Sequence, residues 1–165
     1  MTKAIVLHPL SVTASALVDD EDFARFGGYV WHSLRKRSGK TYAMRGKGLD
    51  GKGGACLLHR LIMNAPKGVQ VDHINGDSLD NRKENLRLCS AQENARNRQQ
   101  RKDVKAPFKG VQPTGNRFSA TLTENGISIS LGTYETAADA ARAYDAEAVA
   151  RFGEFARTNF QRKAA

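Results

Sequence analysis

The side chains best able to do chemistry are concentrated in one run, LHRLIMNAPKGVQVDHINGDSLDNRKENLRLCSAQENARN. It holds an acid and an imidazole side by side, Asp72 and His73, and two amides further on, Asn94 and Asn97. Phosphodiester hydrolysis needs groups of these kinds: a base to deprotonate a nucleophile, and a divalent cation to stabilise charge on the phosphate and the leaving oxygen. A neutral imidazole, with an ordinary pKa of about 6.5, can take a proton from water near neutral pH. Asp72 and Asn94 carry hard oxygen atoms of the sort Mg²⁺ prefers, leaving its other positions to water and phosphate.

Local pattern suggests how these groups are positioned. VQVDH reads as a strand, NGDSLDNRKEN as a tight polar loop, LRLCS as a returning strand, and AQENARN as a helix start capped by Ser90. Strand, strand and helix in that order would bring Asp72, His73, Asn94 and Asn97 together. His59, in the apolar helical run LHRLIM, reads as a core histidine or one packed behind the site, ahead of the alternative that it is catalytic. Arg60 and Arg87 could pair with phosphate or with nearby acids, phosphate being slightly favoured.

These features resemble the ββα-metal motif of the HNH (His-Me finger) homing endonucleases, through DHINGD, DNRKENLR and ENARN, in the phage branch where the final His is Asn. The resemblance implies His73 as general base and Asp72 and Asn94 as metal ligands. Asn85 would brace the loop by hydrogen bonds, and Asn97, one helical turn on, is a near alternative to Asn94. With the usual third His absent, the resemblance favours a single hard ion, Mg²⁺ first and Mn²⁺ second, over Zn²⁺.

The flanks differ in character. Residues 1–56 read as a strand-rich region: a strand at AIVL, a short helix begun by DDED, and hairpin strands around a basic loop in WHSLRKRSGKTYAMRGKG. The nuclease motif spans 57–98. A basic linker over 99–107 is entered through Arg96 and Arg98 and carries Arg101, Lys102 and Lys105, suited to lie along phosphates.

In 108–160, RFSATLT and ISISLGTY alternate, placing Phe118, Ala120, Leu122, Ile127, Ile129 and Leu131 on one face and hydroxyls on the other. ENG between them predicts a hairpin turn, Thr136 a helix cap and Gly153 its end. The expected form is a three-stranded antiparallel sheet packed on one helix, with a polar face open. This stretch closely resembles the APETALA2/ERF-type DNA-binding domain through GV, LGTY, AARAYD and the closing NF. The resemblance implies a sheet laid in the major groove. Lys109, Gln112, Arg117, Thr121, Thr123, Ser128 and Ser130 would then face DNA. Thr and Ser stand where plant members carry several Arg and a Trp, so base readout is expected to be weaker or different.

Composition agrees with these motifs without proving them. A net charge of +9 and a pI near 9.8 favour a polyanionic partner, though a ribosomal or membrane-surface protein would show the same balance. No run approaches the ~18 apolar residues that a membrane span needs, and the N-terminal apolar run is too short for a signal peptide. Two cysteines, Cys56 and Cys89, offer no disulfide framework or zinc spacing and read as small buried residues.

The sequence therefore predicts an α+β, metal-dependent endonuclease acting on double-stranded DNA, as a monomer or weak dimer. Its expected setting is the cytoplasm of a bacterial host, as a phage or prophage protein, with no membrane partner. The alternatives are a catalytically degenerate DNA-binding regulator and an RNA-acting nuclease.

Overall fold

Strict alternation makes the first strand: Ile5 and Leu7 are buried while Val6 between them is 69% exposed. The computed structural model describes residues 1–9, 14–47, 53–97, 106 and 108–160, which divide into two units, Met1–Asn94 and Ala95–Ala165. Arg98, Arg101, Lys102 and Lys105 of the expected linker lie outside the described residues.

In the first unit, β1 (Thr2–Pro9), β2 (Ala14–Asp19), β3 (Trp31–Arg35), β4 (Thr41–Arg45) and β5 (Cys56–Leu57) form one sheet in the order β2-β1-β3-β4-β5. β1 and β3 run parallel, and the crossover that parallel strands require contains α1 (Asp20–Phe26). Three acids in its first turn, Asp20, Glu21 and Asp22, suit the positive end of the helix. Trp31 is fully buried at the centre and its indole donates to the Phe26 carbonyl at 3.0 Å.

The chain continues through α2 (Leu58–Ile62), β6 (Gln70–His73), β7 (Leu86–Cys89) and α3 (Ala91–Arg96). β6 and β7 pair antiparallel from Gln70↔Cys89 to His73↔Leu86. A two-stranded ribbon is not stable alone in water. Accordingly Leu58, Ile62, Val71 and Leu86 share one core with Ile5, Leu7, Val18 and Trp31. The compositional change at residue 56 is thus no structural division, because both sides bury the same apolar surface. Cys89 is buried, but Cys56 is only half-buried, at the short edge strand, in contrast to the expectation for both.

In the second unit, β8 (Val111–Thr114), β9 (Arg117–Glu124) and β10 (Ile127–Tyr134) form a three-stranded antiparallel sheet in the order β10-β9-β8. Asn125 and Gly126, both at positive φ, make the hairpin turn. The Thr136 hydroxyl accepts from the Asp139 amide at 3.1 Å and starts α4 (Ala137–Phe152). Buried Ala140 and Ala141 let this helix lie close on Val111 and Ala120, while Tyr144, Ala148 and Phe152 cover Leu122. Ile127, expected on the core face, is 68% exposed because it sits at the hairpin tip. A bulge between Ser130 and Gly132 then shifts the alternation, so that Tyr134 returns to the core side.

The Asp145 carboxylate fastens the end of the chain to α4, accepting from the Asn159 amide, at 2.8 Å, and the Phe160 amide, at 2.9 Å. Gly110 carries a sharper constraint: its φ is +76°, and a Cβ there would lie 2.1 Å from the Tyr144 ring. Gly110→Ala is expected to destabilise the second unit by roughly 2–4 kcal/mol, the sum of backbone strain and overpacking. Urea denaturation followed by near-ultraviolet signal from tyrosine checks this.

Candidate nuclease site

His73 ends β6, 4% exposed, and Asp72 precedes it at 5%. His73 Nε2 lies 3.3 Å from Asn81 Oδ1. The Asn81 amide nitrogen donates to the Leu79 carbonyl at 3.0 Å, which fixes the amide with its oxygen toward the imidazole. An amide oxygen only accepts, so Nε2 carries the ring proton and Nδ1 is the basic nitrogen. Burial, the largest influence, pushes the His73 pKa down, against the raising effect of the Asn81 bond; Lys40 adds to the lowering. The neutral imidazole a base requires is therefore the favoured form.

The loop that supplies Asn81 is held from the N-terminal sheet. Leu17 on the edge strand β2 donates its amide to the Leu79 carbonyl and accepts from the Asn81 amide, both at 2.8 Å. The Asp19 carboxylate accepts from the Lys83 amide at 2.8 Å, and the Ser78 hydroxyl donates to the Thr41 carbonyl at 2.6 Å. Within the loop, Asn85 Oδ1 accepts from the Asn75 amide at 3.0 Å and its Nδ2 donates to the Asp80 carbonyl at 2.8 Å. Asp80 is in turn clamped by the Arg82 guanidinium at 2.8 Å.

Asp72 Oδ2 accepts from Arg87 directly across the ribbon, from Nε at 3.0 Å and Nη2 at 2.8 Å. Arg87 thus pairs with an acid, contrary to the slight preference for phosphate. Arg60 also differs from that preference: it donates to the Val69, Ala65 and Pro66 carbonyls and closes the turn after α2. At the start of α3, Ser90 and Glu93 cap each other reciprocally, Ser90 Oγ accepting from the Glu93 amide and Glu93 Oε2 from the Ser90 amide. That places Asn94 against β6, where its Nδ2 donates to Gln70 Oε1 at 2.6 Å. The amide oxygen, which a metal would use, is not the atom spent on that bond. Asn97 is buried and belongs to the second unit.

His59 packs against His73, the ring centroids 5.1 Å apart in an edge-on arrangement, with Tyr42 tilted against both at 5.5 and 6.2 Å. Its Nδ1 is buried without a hydrogen-bond partner. Burial, helped by the charges of His73 and Arg60, holds its pKa at about 3 against an ordinary 6.5. An unfolded chain protonates His59 near pH 6.5 while the folded chain resists to about pH 3, so this group's contribution to stability is lost as pH falls through that window. The slope from this one group approaches about 1.4 kcal/mol per pH unit. Urea titrations at pH 7 and pH 5 should show the loss, and His59→Leu should remove that part of it.

The sequence motifs name His59, Asp72, His73, Asn85 and Asn94 as candidates; Asn81 and Tyr42, which the structure brings against His73, were not among them. Asn81 lies within DNRKEN, where its residue type does not set it apart from the turn-forming Asn and Asp around it. Nothing in the sequence linked Tyr42 to residues so distant along the chain.

The second unit's open face carries rows of paired residues: Gln112, Ser119 and Thr133, then Thr121 and Ser130, then Thr123 and Ser128. Arg117 stands at the end of β9 and donates to the Thr133 carbonyl at 3.1 Å. Lys109 does not stand among them. Its ammonium donates to the Arg96 carbonyl at 2.8 Å and lies over the Tyr144 ring on the helix side, and burial lowers its pKa to about 8. Arg96, expected to meet phosphate, stacks on Phe152 at 4.4 Å and pairs with Glu124 at 3.8 Å.

The site's surroundings coincide with a family match. Residues 56–96 match the HNH endonuclease family. A protein of Acanthamoeba polyphaga mimivirus named an uncharacterized HNH endonuclease is 34% identical over 113 residues, 64% of this chain and 58% of the relative. The chain therefore spans a little over half the length of that relative. The HNH stretch takes in β5, α2, β6, β7 and α3, the elements that position His59, Asp72, His73, Asn85 and Asn94. Among the described residues no helix is long and apolar enough to cross a membrane.

Proposed function

We propose that this chain is a metal-dependent endonuclease that hydrolyses phosphodiester bonds in duplex DNA, with His73 as general base. The observation that carries the reading is a buried, neutral His73 whose Nε2 is fixed by Asn81, beside Asp72, within the HNH stretch. Asn81 orients the imidazole, and Nδ1 takes the proton from the attacking water. Asn85 keeps the loop closed around that orientation, and His59 and Tyr42 exclude water from the back of the ring.

The donor set suits a hard divalent ion that arrives with the substrate. Among the described residues no three His, Cys, Asp or Glu side chains cluster to hold a metal, which speaks against a zinc-type site. Asp72 and Asn94 would hold Mg²⁺, or Mn²⁺, with phosphate and water completing the shell. The ion would supply positive charge to the phosphate and the leaving oxygen.

The second unit serves placement in this reading. Its open sheet face, lined by Gln112, Arg117, Thr121, Thr123, Ser128 and Ser130, fits an APETALA2/ERF-type strand mode of DNA binding. Truncation after Lys105 is expected to keep metal-dependent nicking while lowering DNA affinity and its salt sensitivity, as measured by fluorescence anisotropy. Unchanged affinity would place that face away from DNA.

A rival reading, a DNA-binding regulator that no longer cuts, draws support from the Arg87 guanidinium on Asp72. A pool of random-sequence duplexes, offered as DNA and as RNA with Mg²⁺, distinguishes the readings. Cleavage of the DNA pool is expected. Binding of DNA without cleavage favours the regulator, and cleavage of RNA alone overturns the DNA assignment.

A further inference from the structure

The hairpin joining β3 to β4 carries a group of cations. Arg35, Lys36, Arg37 and Lys40 are all exposed, and none takes part in the salt bridges among the described residues. No Asp or Glu occurs anywhere between Asp22 and Asp50 to offset them. Four like charges on so short a loop repel one another and cost stability unless an anion meets them.

The loop is also well formed. The Gly39 amide donates to the Lys36 carbonyl at 2.9 Å, the Lys36 amide to the Lys40 carbonyl at 2.8 Å, and Gly39 has φ +83°. This is a type of tight hairpin turn, which fixes the backbone that presents these side chains. Its second strand is locked to the nuclease loop, because Ser78 donates to the Thr41 carbonyl and Tyr42 packs on His59 and His73. The cations are therefore carried on the same unit as His73, at the head of a strand whose Tyr42 packs on that imidazole.

We propose that the Arg35–Lys40 hairpin is a phosphate clamp that grips the DNA backbone next to the bond being cut. The proposal rests on the endonuclease reading for the identity of the polyanion, and on the hairpin's own geometry for its place. It assigns the N-terminal sheet a second duty besides holding the Asn81 loop: delivering substrate to the site independently of the second unit. Phosphate contacts fix register without reading sequence, so the clamp strengthens binding to all duplexes alike.

The test is the full-length triple variant Arg35→Gln, Lys36→Gln, Arg37→Gln, compared with wild type by fluorescence anisotropy on a labelled DNA duplex in EDTA. Circular dichroism melting establishes that the variant is folded. The clamp predicts affinity at least tenfold weaker near 0.15 M salt, and a log K versus log salt slope shallower by about two to three, since each lost phosphate contact removes about 0.9. A charge-conserving variant, Arg35→Lys, Lys36→Arg, Arg37→Lys, should bind like wild type. Unchanged affinity and slope in the Gln variant would overturn the clamp, as would a loss confined to a duplex RNA probe. Wild-type nicking of plasmid in Mg²⁺ is scored separately. Its absence alongside a normal loss of binding in the Gln variant would refute the endonuclease reading and leave the clamp standing.

Discussion

His73→Ala is expected to lower the rate of DNA cleavage by about 10²–10⁴-fold, the usual contribution of a positioned general base, while DNA affinity stays within about twofold of wild type, since the buried imidazole makes no phosphate contact of its own. The residue is buried against His59 and Tyr42, so the alanine leaves a gap that can loosen the fold. His73→Gln guards against that confusion. It retains a polar side chain able to meet Asn81 but cannot act as a base near neutral pH, and it should be equally slow. Cleavage surviving in both variants would remove His73 from the chemistry. Loss of DNA binding in both would make it a structural residue.

The second large effect concerns Arg87. Its guanidinium makes two bonds to one oxygen of a carboxylate that is 5% exposed, and the two residues face each other across the ribbon. Removing one partner of a buried pair costs about 3–5 kcal/mol, because the other is left charged in a poor solvent. Arg87→Met should destabilise the first unit by that amount, and Asp72→Asn with Arg87→Met should recover much of it. A double-mutant cycle in urea measures the coupling. The same variant separates the roles of Asp72. If the carboxylate also holds a divalent ion, Mg²⁺ raises the melting temperature of Arg87→Met more than that of wild type, since the ion replaces the lost positive charge. Equal shifts would leave Asp72 as Arg87's partner and no ligand.

What the sequence made legible follows from which interactions are local. Apolar and hydroxyl residues alternate along the sequence of β9 and the first part of β10, and the Asn125–Gly126 turn and the Thr136 cap are determined within a few residues, so most of the second unit was readable strand by strand. The bulge at Ser130–Gly132 was not, because both registers look alike until the core chooses one. The bracing place of Asn85 came from the family resemblance, whereas the ribbon and the Ser90 cap were readable for the same local reason. Asn81 and Tyr42 were not. Their roles depend on contacts between β2 and the loop, and between β4 and α2, which join residues distant in the chain. Lys109 and Arg96 show a further limit. A basic residue in a basic stretch reads as a phosphate ligand, yet here each lies over an aromatic ring with its polar end on a protein oxygen.

The N-terminal sheet changes how the nuclease motif should be understood. The HNH stretch carries Asp72 and His73, but its loop is set by Leu17 and Asp19, and its histidines are backed by Tyr42. An isolated 56–96 fragment would lack all three and the shared core besides.

The central claim is that the arrangement around His73 hydrolyses DNA. It is tested most directly by incubating the full-length chain with supercoiled plasmid, in Mg²⁺ and in EDTA, and following conversion to nicked circles over time. Nicking in Mg²⁺ that is absent in EDTA is the predicted result, and a protein that binds the plasmid yet leaves it supercoiled in Mg²⁺ and in Mn²⁺ would contradict the account.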